Sequence, residues 1–350
     1  MDRGLRSKGQ SLAFEVSAYD PLELARSFLG APIDRVEQVG GGRNSRLFYV
    51  EAGDRRFALK IYPPFFPGAR DRASIECRAL SFMRTHGIKD VPAVVARSRD
   101  AALLEWIAGD PVAEPSLEDM DLAARFLGRI HTLKDRDGAA EFGCAAEACL
   151  CGAEILSQTM RRLERLEAEA GDHEALAQYL RREFRPRLSE VTGNVMERCR
   201  RSGIPFNREI SWVDRTLVPA DFGFHNALRR PDGGTTFLDF EYFGWDDPVK
   251  VCLDFALHPG MNLAPELVRQ FLGAVTQVYG TDSAFAARLA AYFQLIGLRW
   301  CAILLNEFLP DVWARRQHSG NSADRLEILR RQLHLSRSML VRLDADLKDF

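Results

Sequence analysis

The segment PADFGFHNALR, from Pro219 to Arg229, places a carboxylate, Asp221, five residues before an amide, Asn226. A second carboxylate, Asp239, follows thirteen residues after Asn226. A carboxylate can accept the proton of a hydroxyl group, and amide and carboxylate oxygens are good ligands for Mg²⁺. Phosphoryl transfer to a hydroxyl needs both functions in one site. The spacing therefore predicts Asp221 as the base and Asn226 and Asp239 as magnesium ligands.

The letters DFG at residues 221–223 invite another assignment, in which Asp221 is the metal-binding residue of a protein kinase. In the kinase pattern H-R-D-x-x-x-x-N, the base precedes the Asn by five residues and the metal-binding Asp comes later. Asp239 has that later position, after a predicted β-hairpin, and Asp221 does not. The alternative would also leave Asn226 and Asp239 without roles. We therefore interpret these letters as incidental.

A glycine-rich turn, GGGRNS, joins the first two predicted strands, and Lys60 lies on the third. Backbone N–H groups of such a turn can approach a polyphosphate closely, and a lysine on the next strand adds a positive charge. A flexible hairpin turn has the same composition. Because a strand follows the turn, the Rossmann and P-loop arrangements are excluded. The candidate nucleotide-binding residues of the turn are Gly41, Gly42, Arg43, Asn44 and Ser45.

Glu76 is the candidate partner of Lys60. It lies on the helix that follows the third strand, with apolar residues at helical spacing around it. An ordinary exposed glutamate is the alternative, since most such residues are solvated. Its place on the one helix of the segment favours a contact that holds Lys60.

Two lobes are predicted to position these residues. The first has the order β-β-β-α-β-β, which gives a small α+β lobe with an antiparallel sheet, whereas helical periods dominate the second, around one hairpin. We expect an N-terminal extension with a helix at 1–30, an N-lobe at 31–108 and a C-lobe at 109–350. Within the C-lobe we expect a catalytic loop at 219–226, a metal segment at 237–247, and substrate-binding helices at about 150–200 and 260–350.

Composition excludes some classes of partner. The 350 residues carry a net charge of −2 without runs of like charge, which argues against a nucleic acid partner. The apolar stretch 289–309 is interrupted by Gln294, Arg299 and Asn306, so we expect a buried helix and no membrane span.

Seven cysteines and no signal-like segment favour a cytoplasmic protein. Three of them, between 144 and 151, lack a fourth zinc ligand, and we expect them to pack in an Ala-rich helix.

Taken together, GGGRNS, Lys60, Glu76, PADFGFHN and LDFEYFGWDDP resemble the aminoglycoside phosphotransferase and choline kinase group of small-molecule kinases. The resemblance covers about residues 36–260. It implies a bilobal protein-kinase-like fold, ATP and Mg²⁺ as cofactors, and a small-molecule hydroxyl acceptor bound by the C-terminal helices. It also implies adenine hydrogen-bonded by hinge backbone at Glu105 to Ile107.

The catalytic loop departs from that group. Its members usually write H-G-D, whereas this chain has Pro219-Ala220-Asp221. The loss of the His puts the shape of the loop in question more than its chemistry. The extra acids Asp246 and Asp247 suit either metal binding or a helix cap before Pro248, and we favour the cap.

The acceptor is predicted only coarsely. Arginines lie beside aromatic residues in the C-terminal helices, among them Arg299 and Arg316. Most are expected on solvated faces, but one or two pointing inward would favour an anionic or sugar-like acceptor. The alternatives are an aminoglycoside-modifying kinase and a non-catalytic nucleotide-binding scaffold. A protein kinase is disfavoured because no A-P-E motif or long activation loop follows Asp239.

Overall fold

The computed structural model describes residues 19–39, 45–63, 70–318 and 324–345. The N-lobe contains the predicted five-stranded sheet, with the strand order β1-β2-β3-β5-β4 and antiparallel pairs throughout. Its elements are β1 (Arg35–Val39), β2 (Arg46–Ala52), β3 (Arg55–Ile61), α2 (Arg72–Thr85), β4 (Val94–Arg97) and β5 (Ala101–Glu105). Lys60 lies on the central strand, opposite Leu47 on one side and Ala102 on the other.

A helix precedes the sheet and completes the core of the N-lobe. This helix, α1 (Pro21–Leu29), is capped by Asp20, whose side chain accepts a hydrogen bond from the Leu22 N–H, and ends at Gly30 in the left-handed conformation. Ala25 of α1 is fully buried against one face of the sheet. The segment expected to be an extension therefore includes a structural part of the N-lobe.

The other face of the sheet is covered by α2 and joins the large core of the C-lobe. The chain enters the C-lobe through β6 (Asp110–Pro111), which pairs with the hairpin of β8 (Ala227–Arg229) and β9 (Thr235–Phe237). A Cβ on Gly109 would lie 2.6 Å from the Arg229 carbonyl oxygen. The entry to the C-lobe is thus fixed against the hairpin by a close backbone approach.

A two-stranded sheet brackets the candidate site. It pairs β7 (Thr216–Val218), directly before the catalytic loop, with β10 (Gly244–Asp246), at the end of the metal segment. A Cβ on Gly244 would lie 2.5 Å from the Gly143 carbonyl oxygen, so glycine lets the chain around 143–145 pack against β10. Both functional segments therefore begin or end on one small sheet.

Helices make up the rest of the C-lobe. They are α3 (Leu117–His131), α4 (Gly152–Glu169), α5 (Glu174–Tyr179), α6 (Arg185–Arg201), α7 (Pro248–Leu257), α8 (Pro265–Val278), α9 (Phe285–Leu304), α10 (Pro310–His318) and α11 (Arg325–Ala345). The stretch Phe285–Phe308 is apolar and long enough to cross a membrane by composition, but 72% of its most apolar window is buried inside the molecule. That burial matches the expected core helix.

The cysteine prediction was partly wrong. Cys144, Cys149 and Cys151 lie in the irregular segment before α4, not in a helix. Cys149 and Cys151 are buried and Cys144 is exposed. The Ala-rich composition of this segment resembles a helix, but strand β10 holds its backbone: Ala145 N–H donates to the Trp245 carbonyl oxygen at 2.9 Å.

Candidate active site

Lys60 connects the two lobes at the centre of the candidate site. Its Nζ lies 2.7 Å from Glu76 Oε2 and 2.7 Å from Asp239 Oδ1. The predicted contact between Lys60 and Glu76 is therefore present, and it extends to a predicted metal ligand. Burial alone would lower the pKa of Lys60, but the surrounding carboxylates raise it, so the amine stays charged.

Glu76 is buried and fully engaged, unlike an ordinary helix glutamate. Its Oε2 also accepts a hydrogen bond from the Tyr62 hydroxyl at 2.6 Å, and its Oε1 accepts one from the Phe240 N–H at 3.2 Å. Tyr62 lies two residues after Lys60, so the period of two at the end of β3 could have indicated it. These bonds fix α2 against both β3 and the metal segment.

Glu241 is a site residue for which the sequence analysis predicted no role. Its side chain is 1% exposed, and its Oε2 lies 3.4 Å from Lys60 Nζ and accepts no hydrogen bond from the described residues. Its Oε1 pairs with Arg72 at 3.0 Å. Its signal in the sequence was its place two residues after Asp239 within the metal segment, although the backbone there is not extended, since φ is 65° at Asp239.

The carboxylates of Glu76, Asp239 and Glu241 lie together around Lys60, and because Glu76 is fully engaged, Asp239 and Glu241 are the two suited to a divalent cation. Each offers an oxygen within 4.8 Å of the others. Burial and the charges of Glu76 and Glu241 raise the pKa of Asp239 to about 7, despite the opposing charge of Lys60. Buried acidic oxygen in excess of its counter-charge is what Mg²⁺ stabilises, so these residues fit the ion that the sequence predicts.

Asn226 is brought beside Asp239 by backbone pairing. The Asn226 carbonyl oxygen accepts a hydrogen bond from the Leu238 N–H at 2.8 Å. Its side-chain Nδ2 donates to the Asp221 carbonyl oxygen at 3.0 Å, which leaves the amide oxygen for a cation. The structure thus brings the predicted base and the two predicted metal ligands into one loop cluster.

Two residues of this cluster have left-handed backbone. The φ angle is 68° at Ala220 and 65° at Asp239, and neither residue is glycine. Such conformations cost roughly 1–3 kcal/mol each and occur where surrounding structure enforces them, often at functional sites. Ala220 occupies the position where the resembling group has glycine, so the departure from H-G-D is a source of local strain.

Asp221 lies beside two histidines. His225 Nε2 lies 3.1 Å from Asp221 Oδ1, and the rings of His225 and His258 stack with centroids 4.0 Å apart. The Asp221 side chain is 39% exposed. Burial raises its pKa, but the hydrogen bond and charge of His225 outweigh that effect and hold the pKa below its ordinary value. Asp221 is therefore an ionised acceptor at neutral pH.

Only some of the other residues predicted to bind nucleotide lie within the described parts of the chain. Gly41, Gly42, Arg43 and Asn44 lie outside the described residues, and Ser45 is half-buried directly before β2. Glu105 ends β5, where its N–H donates to the Ala93 carbonyl oxygen at 2.8 Å and its side chain accepts from the Ala93 N–H at 3.0 Å. Ile107 follows in irregular backbone. The assignment of Glu105 and Ile107 to adenine stays a prediction.

The two extra acids of the metal segment, Asp246 and Asp247, contact groups of the fold. Asp247 caps α7 by accepting the Val249 N–H, as expected, and pairs with Arg288 at 2.9 Å. Asp246 is fully buried and accepts from the N–H groups of Cys149 and Asp247. Burial raises its pKa to about 7.

Arg299 is an inward-pointing arginine of the C-terminal helices. It is buried, and its charge is shared by Asp254 at 3.1 Å and Glu147 at 2.5 Å. Asp254 also pairs with Lys250 at 2.8 Å. Arg316 likewise pairs with Glu307 at 2.7 Å. The inward arginines therefore neutralise carboxylates of the fold.

A small apolar crevice lies beyond His258, with a volume of about 150 Å³. It is bounded by the end of α7, the end of α9 and one face of α11. Its lining is mostly aliphatic, including Leu304, Leu335 and Met339. Because His258 also stacks on His225, the crevice adjoins the side of the site that Asp221 faces.

The chain is similar to known proteins in sequence pattern and in fold. The model of the phosphotransferase enzyme family (APH) matches residues 35–292. A spectinomycin phosphotransferase in complex with ADP and spectinomycin is similar in structure, with 11% identity, a TM-score of 0.60, and coverage of 91% of this chain and 97% of the other. No curated protein sequence matches the chain.

Two choline kinases are also similar. For the enzyme from Streptococcus pneumoniae the identity is 16% and the TM-score 0.54, with 91% of this chain and 97% of the other covered. For that from Cryptosporidium parvum Iowa II the values are 12% and 0.52, with 92% and 94% covered. At such low identity these likenesses concern the fold, and they confirm the predicted bilobal protein-kinase-like arrangement.

Proposed function

The chain belongs to the phosphotransferase enzyme family, and from this premise we propose that it is a small-molecule kinase that transfers the γ-phosphate of ATP to a hydroxyl group. The observation that supports this most is the contact of one lysine with carboxylates from both lobes. Lys60 Nζ is 2.7 Å from Glu76 and 2.7 Å from Asp239. A cleft built this way aligns a phosphate-binding cation with metal-binding oxygens.

The nucleotide would lie between the lobes, with Lys60 on its phosphates. Glu76 holds Lys60 and is itself held by Tyr62, so the amine is positioned before any substrate arrives. In this proposal Gly41, Gly42, Arg43, Asn44 and Ser45 approach the phosphates through their backbone. The backbone of Glu105 and Ile107 contacts the adenine.

Asn226 and Asp239 would hold Mg²⁺, and Glu241 adds a further oxygen. When bound, the ion neutralises charge on the phosphates. The contribution of the chain is to keep the carboxylates of Asp239 and Glu241 close together, with more negative charge than Lys60 balances. The half-buried Asp239 keeps part of its surface open to the cleft, since its side chain is 32% exposed.

Asp221 would accept the proton of the acceptor hydroxyl. Its carboxylate is ionised and partly exposed, and the Asn226 side chain fixes its backbone carbonyl. A base in this position contributes by orienting the hydroxyl as well as by removing its proton.

We propose a neutral hydroxyl compound, such as a sugar or sugar-derived metabolite, as the acceptor. The alternative of an anionic acceptor depended on arginines pointing inward with charge to spare. Arg299 is committed to Asp254 and Glu147, and Arg330 and Arg331 are exposed on α11. Glu147 and Asp254 are likewise neutralised, so a polycationic aminoglycoside gains little from them.

The test is ADP release by the purified chain with Mg²⁺ and ATP, over a panel of sugars, amino alcohols, choline and aminoglycosides. Wild type should release ADP in the presence of one acceptor class. Asp221→Asn should lose about 10²–10⁴-fold in kcat, the usual contribution of a general base, while binding nucleotide normally. Nucleotide binding by wild type without phosphoryl transfer to any acceptor class or to water would favour the scaffold alternative.

A further inference from the structure

The loop has Pro219-Ala220 before Asp221, where the resembled group has His-Gly. A histidine four residues after Asp221 contacts its carboxylate instead. His225 Nε2 lies 3.1 Å from Asp221 Oδ1. An ionised carboxylate can only accept hydrogen bonds, so Nε2 must carry the proton and donate it. In the neutral ring, Nδ1 is then the unprotonated nitrogen.

Gly223 makes room for this imidazole. A Cβ at residue 223 would lie 2.6 Å from His225 Nδ1 and 2.7 Å from its Cε1. The φ of Gly223 is 169°, which any residue adopts, so the requirement for glycine comes from the contact and not from the dihedral angle. The next residue, Phe224, donates its N–H to Met261 Sδ at 3.1 Å. The chain thus wraps closely around the ring.

His258 supports the outer face of the same ring. The two imidazoles are parallel within 2°, with centroids 4.0 Å apart. His258 is itself fixed, because its Nδ1 accepts the Gly260 N–H at 3.1 Å and the Trp300 ring packs edge-on against it at 4.7 Å. His225 is an exposed residue, but its ring is stacked on one face, contacts Asp221 through Nε2 and lies close to the Gly223 backbone, which restricts its movement away from Asp221.

We propose that His225 is a positioning residue that orients the Asp221 carboxylate toward the acceptor, and that Gly223 and His258 hold His225 in place. This inference rests on the proposed role of Asp221 as the base. It explains how the loop fixes the orientation of the Asp221 carboxylate although the His-Gly pair is missing. The N–H of His225 Nε2 donates to Oδ1 of Asp221, and this leaves Oδ2 of Asp221 for the acceptor hydroxyl.

Two other arrangements would use the same side chains. Asp221, His225 and His258 lie close enough to ligate a cation, but parallel stacked rings direct their nitrogen lone pairs alongside each other rather than toward one point. His225 could instead take the proton itself through Nδ1, with Asp221 as its partner, as in a serine protease triad. The next experiment separates this second arrangement from positioning.

The experiment compares His225→Phe, His225→Gln and Gly223→Ala in the full chain at one fixed pH. Phe keeps a ring for His258 to stack on but has no donor, whereas the Gln amide N–H can reach Asp221. We expect His225→Phe to lower kcat about 10-fold to 100-fold, the range for loss of a hydrogen bond to a charged group, with the KM for ATP unchanged. His225→Gln should recover most of kcat.

Gly223→Ala should displace the imidazole and lower kcat similarly without changing any group that contacts Asp221. Combined with His225→Phe it should add little, because both changes remove one interaction. His86→Phe, which replaces an imidazole at the end of α2, is the matched control and should leave kcat unchanged.

The outcomes are distinct. If His225→Gln is as slow as His225→Phe, His225 takes the proton and the positioning role is wrong. If His225→Phe matches wild type, the ring only packs, and the proposal also fails. Absence of turnover in wild type itself would count against the proposed function instead. In that case the hydrogen bond is still measurable, as a change in the His225 Nε2 NMR signal on Asp221→Asn substitution.

Discussion

Lys60 and Asp239 are 179 positions apart in the chain, and the Nζ of one lies 2.7 Å from the Oδ1 of the other. The same Nζ contacts Glu76 at 2.7 Å. One lysine thus balances a carboxylate that positions it and a carboxylate proposed to bind Mg²⁺. Changes to either carboxylate should therefore affect different steps, one the binding of phosphates and the other the dependence on the ion.

Glu76→Gln should weaken the use of ATP. Gln keeps the shape of the side chain but loses its charge, so Lys60 is left to pair with Asp239 and moves away from the phosphates. Charge-assisted hydrogen bonds contribute about 1.5–3 kcal/mol, which predicts a loss of roughly 10-fold to 100-fold in kcat/KM for ATP. Steady-state kinetics at saturating Mg²⁺ measures this.

Tyr62→Phe is the control for that substitution. It removes the hydroxyl that donates to Glu76 Oε2 and leaves the ion pair with Lys60 intact. Its loss should be clearly smaller than that of Glu76→Gln. Equal losses would mean that Glu76 acts through packing and not through its charge.

Glu241→Gln should raise the Mg²⁺ requirement. The side chain supplies a buried oxygen beside Asp239 that accepts no hydrogen bond from the described part of the chain. Removing one ligand charge should increase the Mg²⁺ concentration at half-maximal activity about 10-fold or more, with a smaller effect at saturating Mg²⁺. Calorimetric titration of Mg²⁺ into the ADP complex gives a readout that does not depend on turnover.

Glu37→Gln, an exposed change on β1, is the matched control for this series. The opposing view is that Glu241 serves only to pair with Arg72, 3.0 Å away. That view predicts a lower unfolding free energy with an unchanged Mg²⁺ requirement, and such a result would remove Glu241 from the metal site.

The three-strand meander and the pairing of Lys60 with Glu76 were predictable because they follow local patterns. Alternation over residues 35–61 specifies a meander, and Lys60, on its third strand, contacts Glu76 of the helix that follows. The spacing of Asp221, Asn226 and Asp239 likewise predicted one cluster, since a hairpin returns the chain to its starting point.

Other contacts depend on distant packing that no local pattern encodes. His225 and His258 meet because α7 ends beside the catalytic loop, and Arg299 meets Asp254 across two helices. Asp254 pairs with Lys250 and Arg299, because two cations of α7 and α9 are buried next to it. Spacing along the chain carries no information on such pairs.

Ala220→Gly should stabilise the protein. Ala220 has a φ of 68°, a conformation in which a Cβ is unfavourable by roughly 1–2 kcal/mol. Glycine relieves that strain, although it also makes the unfolded chain more flexible, so we expect a net gain of about 0.5–1 kcal/mol. Urea unfolding at neutral pH measures the change.

Asp221 should keep its contacts in this variant, so kcat should change little. Ala139→Gly is the control, because Ala139 is buried and is not among the residues with positive φ. This change should lower the unfolding free energy. A destabilised Ala220→Gly protein would show that the left-handed backbone is not strained there.

His131 should make the fold less stable in mildly acidic solution. It lies at the end of α3, where its Nδ1 is 3.1 Å from the Thr216 hydroxyl and its ring packs edge-on against Tyr279. Burial, with a smaller contribution from Lys134, lowers its pKa to about 4, against the opposing charge of Asp135. These contacts agree with a structural role for His131.

The direction in which pH changes the unfolding free energy follows from proton binding. Above about pH 7 the imidazole is neutral in both the folded and the unfolded chain, so it adds no pH dependence. As pH falls from 6.5 toward 4, the unfolded chain binds a proton that the folded chain does not, and the unfolding free energy drops. After allowance for partial exposure we expect about 1 kcal/mol of this loss at pH 5.

Urea unfolding of wild type and His131→Asn at pH 7 and pH 5 isolates this contribution, because other groups titrate equally in both proteins. Asn can still bond to Thr216 but does not titrate, so its unfolding free energy should fall less between the two pH values. His86→Asn, at the end of α2, controls for loss of an imidazole elsewhere. An identical pH dependence in wild type and His131→Asn would mean that His131 is protonated in the folded protein, and its burial against Thr216 and Tyr279 would then have to relax in acid.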